Sequence, residues 1–571
     1  MINKDIAKIF YEIADLLEMM NVQWEPRAYT NAAETIEEMT ESLEDIYKEK
    51  GIEGLMEIKG VGKGIAAAIV EHIETGKIKK YEELRKKAPK DFFTMLRIEG
   101  LGPKKIAALH QKLRINTIAD LEKAAKEHKI SKLEGFKEKT ENTILKGIET
   151  VKHSPNRMLL NIAYNLANEF VNALSKVKAV EKVTYAGSLR RMKETIGDID
   201  LLVVSRKPKE VMDFFVKMQQ VKKVLASGET KTSVVLKQGM QVDLRVLKPE
   251  SYGAALQYFT GSQAHNIEIR KIAISQGYKL NEYGLFDKKG KMVAGKTEEE
   301  IYKVLGLPCP PPEMRENNGE LALKKIPQLV DVKDLKGDFH MHTAYSDGFN
   351  SVAEMVKAAE SLGYEYIAIT DHSKSQYVAN GMDESAILKR HKEIEKSREN
   401  SKIRILEGAE VDILADGKMD YSDNILKKLD LVVGSVHASF RQSKEVTTKR
   451  LIAAMENGHV NIIGHLSARK IMDREPIDFD VDAVFKAAKK NDVALEINSQ
   501  PQRLDLNDVL IRKAREMGVK MVINTDAHST KQLDFRMFGV AMARRGWCTA
   551  DDIVNTKKFP EMKKELKIRN H

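Results

Sequence analysis

Residues 187–200 have the sequence GSLRRMKETIGDID, and the apolar run Leu201 to Val204 follows them. This run predicts a short strand, on which Asp198 and Asp200 share a face because side chains alternate along a strand. Two adjacent carboxylates repel each other unless a cation lies between them, and Mg²⁺ commonly binds carboxylates together with substrate phosphates. The two arginines and the serine of the stretch are donors for such phosphates. The stretch therefore indicates metal-assisted phosphoryl transfer, and a solvated surface turn is the alternative.

A third carboxylate is predicted on a neighbouring hairpin. Residues 234–236 and 240–247 predict two paired strands, with Asp243 on the polar face of the second. Three carboxylates can hold two Mg²⁺ ions about 3.5–4 Å apart, which clamp the attacking and leaving oxygens. We therefore expect Asp243 to complete a metal site with Asp198 and Asp200.

Two glycine-rich turns punctuate an N-terminal region whose periodicity is otherwise helical. Each has a Gly-x-Gly, a basic residue and an apolar helix start, and a weaker third copy lies at 133–140. Glycine lets the backbone approach a phosphate closely, and the following helix N-terminus offers free amide groups to it. The pattern indicates a helix-hairpin-helix grip on the nucleic-acid backbone, with an ordinary turn between helices as the alternative. The predicted DNA-binding residues are Gly60, Gly62, Lys63, Gly100, Gly102 and Lys104.

The length and the amino-acid composition are typical of a large globular protein. A chain of 571 residues has room for about four domains. The net charge is +10, and most of the basic excess lies before residue 332, where a phosphate backbone would be a natural partner. Two cysteines, the lack of a long apolar run and the lack of a signal core favour a soluble, cytoplasmic protein with no membrane partner.

The pattern changes from residue 336 onward, where short apolar strands alternate with helical stretches and end in polar residues. In an α/β barrel the carboxyl ends of the strands converge on one mouth. Histidines and carboxylates suit zinc, manganese or iron, and nine ligands are too many for one ion. We expect two or three ions, and satisfied structural histidines are the alternative. The candidate ligands are His340, His342, Asp347, His372, Glu410, His437, His465, Asp526 and His528.

The central motifs resemble those of the family X DNA polymerases, the group that includes DNA polymerase beta. The motifs GSxRR-x5-GDxD, VDxR and YFTGS-x3-N-x3-R occur in order, and the resemblance extends from the N-terminal helices to about residue 310. It implies that Asp198, Asp200 and Asp243 are catalytic ligands of Mg²⁺ or Mn²⁺. It further implies that dNTPs are bound by Gly187, Ser188, Arg191, Gly197, Tyr258, Phe259, Gly261, Asn266 and Arg270.

The C-terminal segment resembles the PHP domain that some bacterial and archaeal family X polymerases carry. All nine candidate positions are filled with residues that can bind metal. The resemblance implies a 3′–5′ exonuclease, and it leaves an abasic-site endonuclease or a 3′-phosphatase open. Arg503 could hold a substrate phosphate, and a surface salt bridge suits it equally well.

Together these features predict a multidomain repair enzyme. Its expected fold has helical helix-hairpin-helix domains, an α+β nucleotidyltransferase palm with a thumb, and a C-terminal (β/α)7-like PHP barrel. The expected boundaries are 1–85, 86–150, 151–250 for the palm, 251–310 for the thumb, 311–335 for a proline-rich linker and 336–571. We expect a monomer that fills gaps in DNA and trims 3′ ends.

Three alternatives stay open at this point. The protein could be a DNA-binding nuclease with an inactive nucleotidyltransferase half, its barrel could be structural or act on small phosphoesters, or it could be an RNA-specific nucleotidyltransferase. In family members with 5′-deoxyribose-phosphate lyase activity, a lysine follows the first hairpin. Ala68 occupies the matching position, so the sequence argues against that lyase.

Overall fold

The computed structural model describes residues 2–39, 42–96, 98, 100–152 and 157–569. The chain divides into two compact units, Met1–Pro155 with Lys374–Gly381 and Asn156–Ser373 with Met382–His571. Among the helices of the described residues, none combines the length and the apolar character needed to cross a membrane.

The first unit is built from helices. Its first helix buries Ile6, Phe10, Ile13 and Leu17, which recur every three or four residues and therefore share one helix face. The helices in chain order are Ile2–Met19, Glu25–Glu38, Leu43–Met56, Lys63–Thr75, Lys79–Lys87, Phe92–Leu96, Pro103–Leu113, Ile118–Lys126 and Glu138–Lys152.

The palm of the second unit contains a mixed sheet. In spatial order its strands are Lys182–Tyr185, Asp198–Val204, Gln241–Leu247, Lys231–Leu236 and Val221–Ser227. The second and third of these run parallel, whereas the other neighbours are antiparallel. A short antiparallel pair, Met158–Leu159 with Thr195–Ile196, and the helices Leu160–Leu174, Gly187–Arg190 and Pro208–Phe215 complete the palm.

The thumb follows a short 3-10 turn, Pro249–Ser251, and packs around Ala254, Ile269 and Tyr302. Its helices are Tyr252–Thr260, Gln263–Ser275 and Glu298–Val304, and its antiparallel strands are Lys279–Asn281, Gly284–Phe286 and Met292–Ala294. The proline-rich segment after it forms the 3-10 turns Pro312–Met314, Glu320–Ala322 and Val332–Asp334. Two charged side chains of this segment, Arg315 and Glu320, are buried, so the segment is packed against its surroundings.

The C-terminal part is a seven-stranded parallel sheet whose spatial order follows the chain order. Met341 forms a parallel bridge with Ala527, so the first and last strands approach each other and the barrel is nearly closed. This confirms the predicted PHP-type barrel. The strands are Gly337–Asp338, Tyr366–Ile369, Arg404–Asp412, Leu431–Ser435, Ile462–Ile463, Ala494–Asn498 and Met521–Asn524.

Helices surround these strands. They are Val352–Ser361, Glu384–Asn400, Asp423–Leu426, Lys444–Glu456, Val481–Asn491, Asp508–Met517, Arg536–Arg545 and Phe559–Glu565, with 3-10 turns at Tyr377–Ala379, Thr530–Phe535, Ala550–Asp552 and Val554–Thr556. Palm and barrel share one continuous apolar cluster, to which Phe170 of the palm and Leu495 of the barrel both belong. The rings of Tyr164 and Phe538 meet edge to face at 6.0 Å within this shared core.

Candidate active sites in the palm and the barrel

The palm brings its three predicted carboxylates together on two adjacent parallel strands. Asp200 and Asp243 are register partners, and Asp198 lies two residues before Asp200. The intervening Ile199 is buried, so the two aspartates lie on the opposite face of the strand from it. The juxtaposition is the one that the sequence predicts, and the role of the three as metal ligands remains a prediction.

Negative charge is crowded at this point of the sheet. Burial, followed by Asp198 and Asp243, raises the pKa of Asp200 to about 7. Burial and then Asp243 also raise the pKa of Asp198. Burial acts in the same direction on Asp243, but hydrogen bonds from Gln241 and Lys231 hold the pKa of its carboxyl below the usual value. A divalent cation would relieve this repulsion, so the three residues fit a metal ion.

The glycine that opens the motif is required by close packing. Gly187 has φ of 64°, and a Cβ at this position would overlap the Oδ2 of Asp200. The backbone N–H of Ala186 donates to the carbonyl oxygen of Asp200 at 2.8 Å. Gly187 is therefore held directly beside the carboxylate cluster, and Ser188 follows it in the chain.

Arg191 connects the motif, of which it is a part, to the thumb. Its Nε donates to Glu316 at 3.1 Å, and its Nη1 donates to the carbonyl oxygen of Thr260. A Cβ on Gly261 would come within 3.0 Å of the same Nη1. Gly197, at the other end of the motif, lies against the guanidinium of Arg157.

The predicted nucleotide-facing aromatic residues lie at the end of helix Tyr252–Thr260. The rings of Tyr258 and Phe259 are half-buried and meet edge to face at 5.0 Å. Arg245 lies over the Phe259 ring at 4.4 Å, and Arg270 lies 5.8 Å from the centre of the Tyr258 ring. Each ring therefore has an arginine side chain beside it.

The amide of Asn266 is engaged within the protein. Its Nδ2 donates to the carbonyl oxygen of Tyr258 at 2.6 Å, and its Oδ1 accepts from Gln257 at 2.8 Å. A contact with a base edge, which the family resemblance implies, would require one of these bonds to be shared or exchanged.

The barrel brings all nine predicted ligands to one end of its strands. His465 joins the cluster through Glu410, since its Nε2 lies 2.9 Å from Oε1 of that carboxylate. Three overlapping groups have ligand atoms within 4.8 Å of one another: His342, Asp347, His372 and His528; His340, His342 and Asp526; and His372, Glu410 and His437.

The atoms of this cluster fit divalent metal ions. His340 Nε2, His342 Nδ1 and Glu410 Oε2 are buried and form no well-aligned hydrogen bond, although the first and the third lie 3.3 Å apart. Leaving buried polar atoms unsatisfied is costly, and coordination of a metal ion would satisfy them. Burial alone would raise the pKa of Glu410, but His340 and the neighbouring histidines hold it well below its usual value. The carboxylate is therefore ionised and ready to act as a ligand.

Two supporting carboxylates were missed from the sequence. Glu496 Oε1 lies 2.7 Å from Nδ1 of His340, and Asp412 Oδ1 lies 2.7 Å from Nδ1 of His437. Carboxylates in this position fix the orientation of a metal-binding imidazole. The sequence contained a signal for Asp412, because this residue lies two positions after Glu410 on one strand and therefore shares its face.

Arg503 lies at the edge of the metal cluster. Its Nε is 3.6 Å from Oδ2 of Asp526, and its Nη1 is buried without a hydrogen-bond partner. Since the side chain is largely buried, the surface salt bridge considered from the sequence does not describe it.

The two glycine turns adopt the same conformation. Gly60 and Gly100 have φ of 85° and 84°, and Gly62 and Gly102 each precede the first residue of a helix. Lys63 and Lys104 are exposed in the first turns of these helices, so both turns present amide groups and positive charge to solvent. Glu99, in the second turn, lies outside the described residues. Ala68 is buried at the position expected for a lyase lysine.

Family profiles match four parts of the chain. They are described as a helix-hairpin-helix domain at residues 1–78, a SAM-like helix-hairpin-helix tandem at 92–150, a DNA polymerase beta thumb at 255–316 and a PHP domain at 338–500. With the carboxylates of the palm, they define a family X DNA polymerase that carries a PHP barrel.

A full-length relative narrows the assignment. The chain is 37% identical over 570 residues to DNA polymerase/3′–5′ exonuclease PolX of Bacillus subtilis (strain 168), covering 99% of each protein. The chain therefore belongs to the PolX family, which confirms the family predicted from the sequence and disfavours an inactive nucleotidyltransferase half. A probable phosphatase of Thermoanaerobacter sp. (strain X514) is 32% identical over 244 residues, covering 40% of this chain and 95% of that protein.

Proposed function

We propose that the palm extends a primer 3′ end from dNTPs at short gaps in DNA, and that the barrel removes nucleotides from 3′ ends. The enzyme acts as a monomer on gapped or primer–template DNA in the cytoplasm. The pairing of Asp200 with Asp243 across parallel strands carries the first activity. The nine-residue cluster of the barrel, in which His465 is joined through Glu410, carries the second.

In the palm, Asp198, Asp200 and Asp243 hold Mg²⁺ or Mn²⁺. Ions held there would neutralise the triphosphate and make a primer hydroxyl more acidic. Ser188 and Arg191 bind the triphosphate, and the rings of Tyr258 and Phe259 lie against the sugar, where they disfavour a ribonucleotide. Crowding of the three carboxylates, expressed in the raised pKa of Asp200, supports this assignment.

In the barrel, the nine residues hold two or three Zn²⁺, Mn²⁺ or iron ions. Ions held there would supply hydroxide near neutral pH for phosphodiester hydrolysis. Glu496 and Asp412 orient the imidazoles of His340 and His437, and the buried cation of Arg503 attracts the phosphate to be cleaved. An abasic-site endonuclease or 3′-phosphatase activity would use the same residues.

A 5′-labelled gapped duplex, incubated with and without dNTPs in Mg²⁺ or Mn²⁺, tests both activities. Asp198→Ala with Asp200→Ala abolishes extension and preserves 3′ degradation. His342→Ala has the opposite effect. Extension that survives loss of both aspartates contradicts the polymerase assignment, and degradation that survives His342→Ala contradicts the assignment of the barrel.

A further inference from the structure

A buried arginine of the barrel reaches the polymerase motif. Arg545 ends helix Arg536–Arg545, and only 2% of its side chain is exposed. Its Nη1 donates to the backbone carbonyl oxygen of Arg191 at 2.8 Å and to Oε1 of Glu316 at 3.0 Å. Its Nη2 donates to Asp508. One barrel side chain is therefore anchored to its own domain and to the palm motif at once.

Glu316 connects the side chains of Arg191 and Arg545. The same Oε1 that accepts from Arg545 also accepts from Nε of Arg191 at 3.1 Å. Arg191 is consequently tied to Arg545 through its backbone and, by way of Glu316, through its side chain. The two guanidinium groups carry two positive charges, and Glu316 and Asp508 supply two negative ones.

A second barrel arginine holds the same palm segment three residues further on. Arg469 Nη2 donates to Glu194 at 2.7 Å, and its Nε donates to the carbonyl oxygen of Arg503 at 2.8 Å. The palm segment between Arg191 and Gly197 is therefore contacted by the barrel at two separate points. This segment joins the phosphate-binding end of the motif to Asp198.

We propose that Arg545 is a positioning residue of the polymerase site, through which the barrel holds Arg191 ready for the triphosphate of the incoming nucleotide. This inference rests on the proposed function of Arg191. An arginine loses side-chain freedom when it binds a ligand, and holding it beforehand reduces that cost. A displacement of about 1 Å at a binding group can lower a rate about 100-fold.

Arg545→Lys tests the proposal, because an ammonium group keeps the charge but has no fork to contact Glu316, Asp508 and the Arg191 carbonyl together. We expect the KM for dNTP to rise about 10-fold, with kcat for extension changed less and with 3′ degradation unchanged. Arg544→Lys is the matched control. Arg544 is the preceding residue of the same helix and contacts Glu313 and Val330 rather than Arg191. Equal KM values for the two variants overturn the proposal.

A double-mutant cycle distinguishes loss of Arg191 positioning from a general loss of stability. Arg545→Lys and Glu316→Gln should raise the KM for dNTP by less in combination than the product of their separate effects, because both act through Arg191. Independent, multiplicative effects contradict the proposal. Arg191→Ala distinguishes this outcome from failure of the proposed function: if it leaves the KM unchanged, the assigned role of Arg191 is wrong.

Discussion

Arg190 donates to both carboxylate oxygens of Glu298, at 2.9 and 2.6 Å, and so joins the palm motif to the thumb. The same arginine donates to Oγ1 of Thr260 at 2.6 Å. Glu298 also pairs with the buried Arg315. Both adjacent arginines of the motif therefore contact the thumb, Arg190 through Glu298 and Arg191 through the carbonyl oxygen of Thr260, and Arg191 is in addition the proposed triphosphate ligand.

Removal of the shared carboxylate should destabilise the protein. Glu298→Ala leaves Arg190 and Arg315 without their buried partner, which is expected to cost about 3–5 kcal/mol of unfolding free energy. Denaturant unfolding of the second unit measures the change. The neighbouring Glu299 is exposed, and its replacement by alanine should change the free energy by less than about 0.5 kcal/mol. Similar losses for both variants would contradict a special role for Glu298.

The ion pairs of Glu298 with Arg190 and Arg315 make the stability of the protein depend on pH. Burial opposes ionisation of Glu298, but Arg190 and Arg315 lower its pKa from 4.5 to about 2. A depressed carboxyl pKa stabilises the folded state above the unfolded value, and this contribution disappears as the pH falls from 4.5 towards 2. The difference in stability between the natural protein and Glu298→Gln should therefore be constant at neutral pH and decrease below 4.5. A difference that grows on acidification would contradict the assignment.

Gly187→Ala should impair extension without affecting the barrel. The new Cβ would overlap the Asp200 carboxylate, and displacement of a reacting group by about 1 Å can lower the rate 100-fold. Primer extension measures the loss, and 3′ degradation serves as the internal reference. Gly239→Ala is the control, because Gly239 also has a positive φ but has no heavy atom within 4 Å of its added Cβ. If both variants lost extension equally, backbone strain alone, rather than overlap with Asp200, would explain the loss.

Glu496→Gln should weaken metal binding by the barrel. Loss of the carboxylate that orients a metal-binding imidazole typically lowers metal affinity about 10- to 100-fold. Titration with a competing chelator measures this, together with 3′ degradation. Glu407 provides a closely matched control, since its carboxylate also lies 2.7 Å from a histidine, His391, that is outside the nine-residue cluster. A chelator midpoint that does not differ between Glu496→Gln and Glu407→Gln would refute the assigned role.

The glycine turns should contribute to DNA affinity without regard to sequence. Replacing both Lys63 and Lys104 by alanine should weaken binding to every duplex similarly and reduce the slope of log affinity against log salt by about 2. Fluorescence anisotropy at several salt concentrations provides the measurement. Lys86→Ala with Lys87→Ala removes the same charge from exposed positions in the same unit. An unchanged slope in the first pair, or an equal change in both, would argue against the turns.

The sequence predicts those parts of the sites that follow from local periodicity. Alternation along a strand places Asp198 and Asp200 on one face, and strand ends place nine ligands at one mouth. The pairing of Asp200 with Asp243 depends on register between strands about forty residues apart, which local pattern suggests but does not determine. Six of the seven barrel strands overlap apolar runs of the sequence, whereas the first, Gly337–Asp338, ends before the run that begins at Phe339.

Other features depend on tertiary contacts that have no local signal. Nothing in Arg190-Arg191 predicts that the first arginine pairs with Glu298 and the second with Glu316. Glu496 resembles any acidic residue of a strand until His340, more than 150 residues away, is placed beside it. By its composition the proline-rich segment resembles an unpacked linker. Arg315 is nevertheless buried in it, because Glu298 compensates the charge of the guanidinium.

The apolar cluster that runs from Phe170 to Leu495 has a consequence for how this protein can change over evolutionary time. Two catalytic modules that share a core cannot be separated without changes at the seam, because each would expose apolar surface if the other were lost. Substitutions at the seam must be tolerated by both modules together. A relative that contains only one of the modules, as the phosphatase covering 40% of this chain must, is therefore expected to carry polar residues at the positions that form this seam.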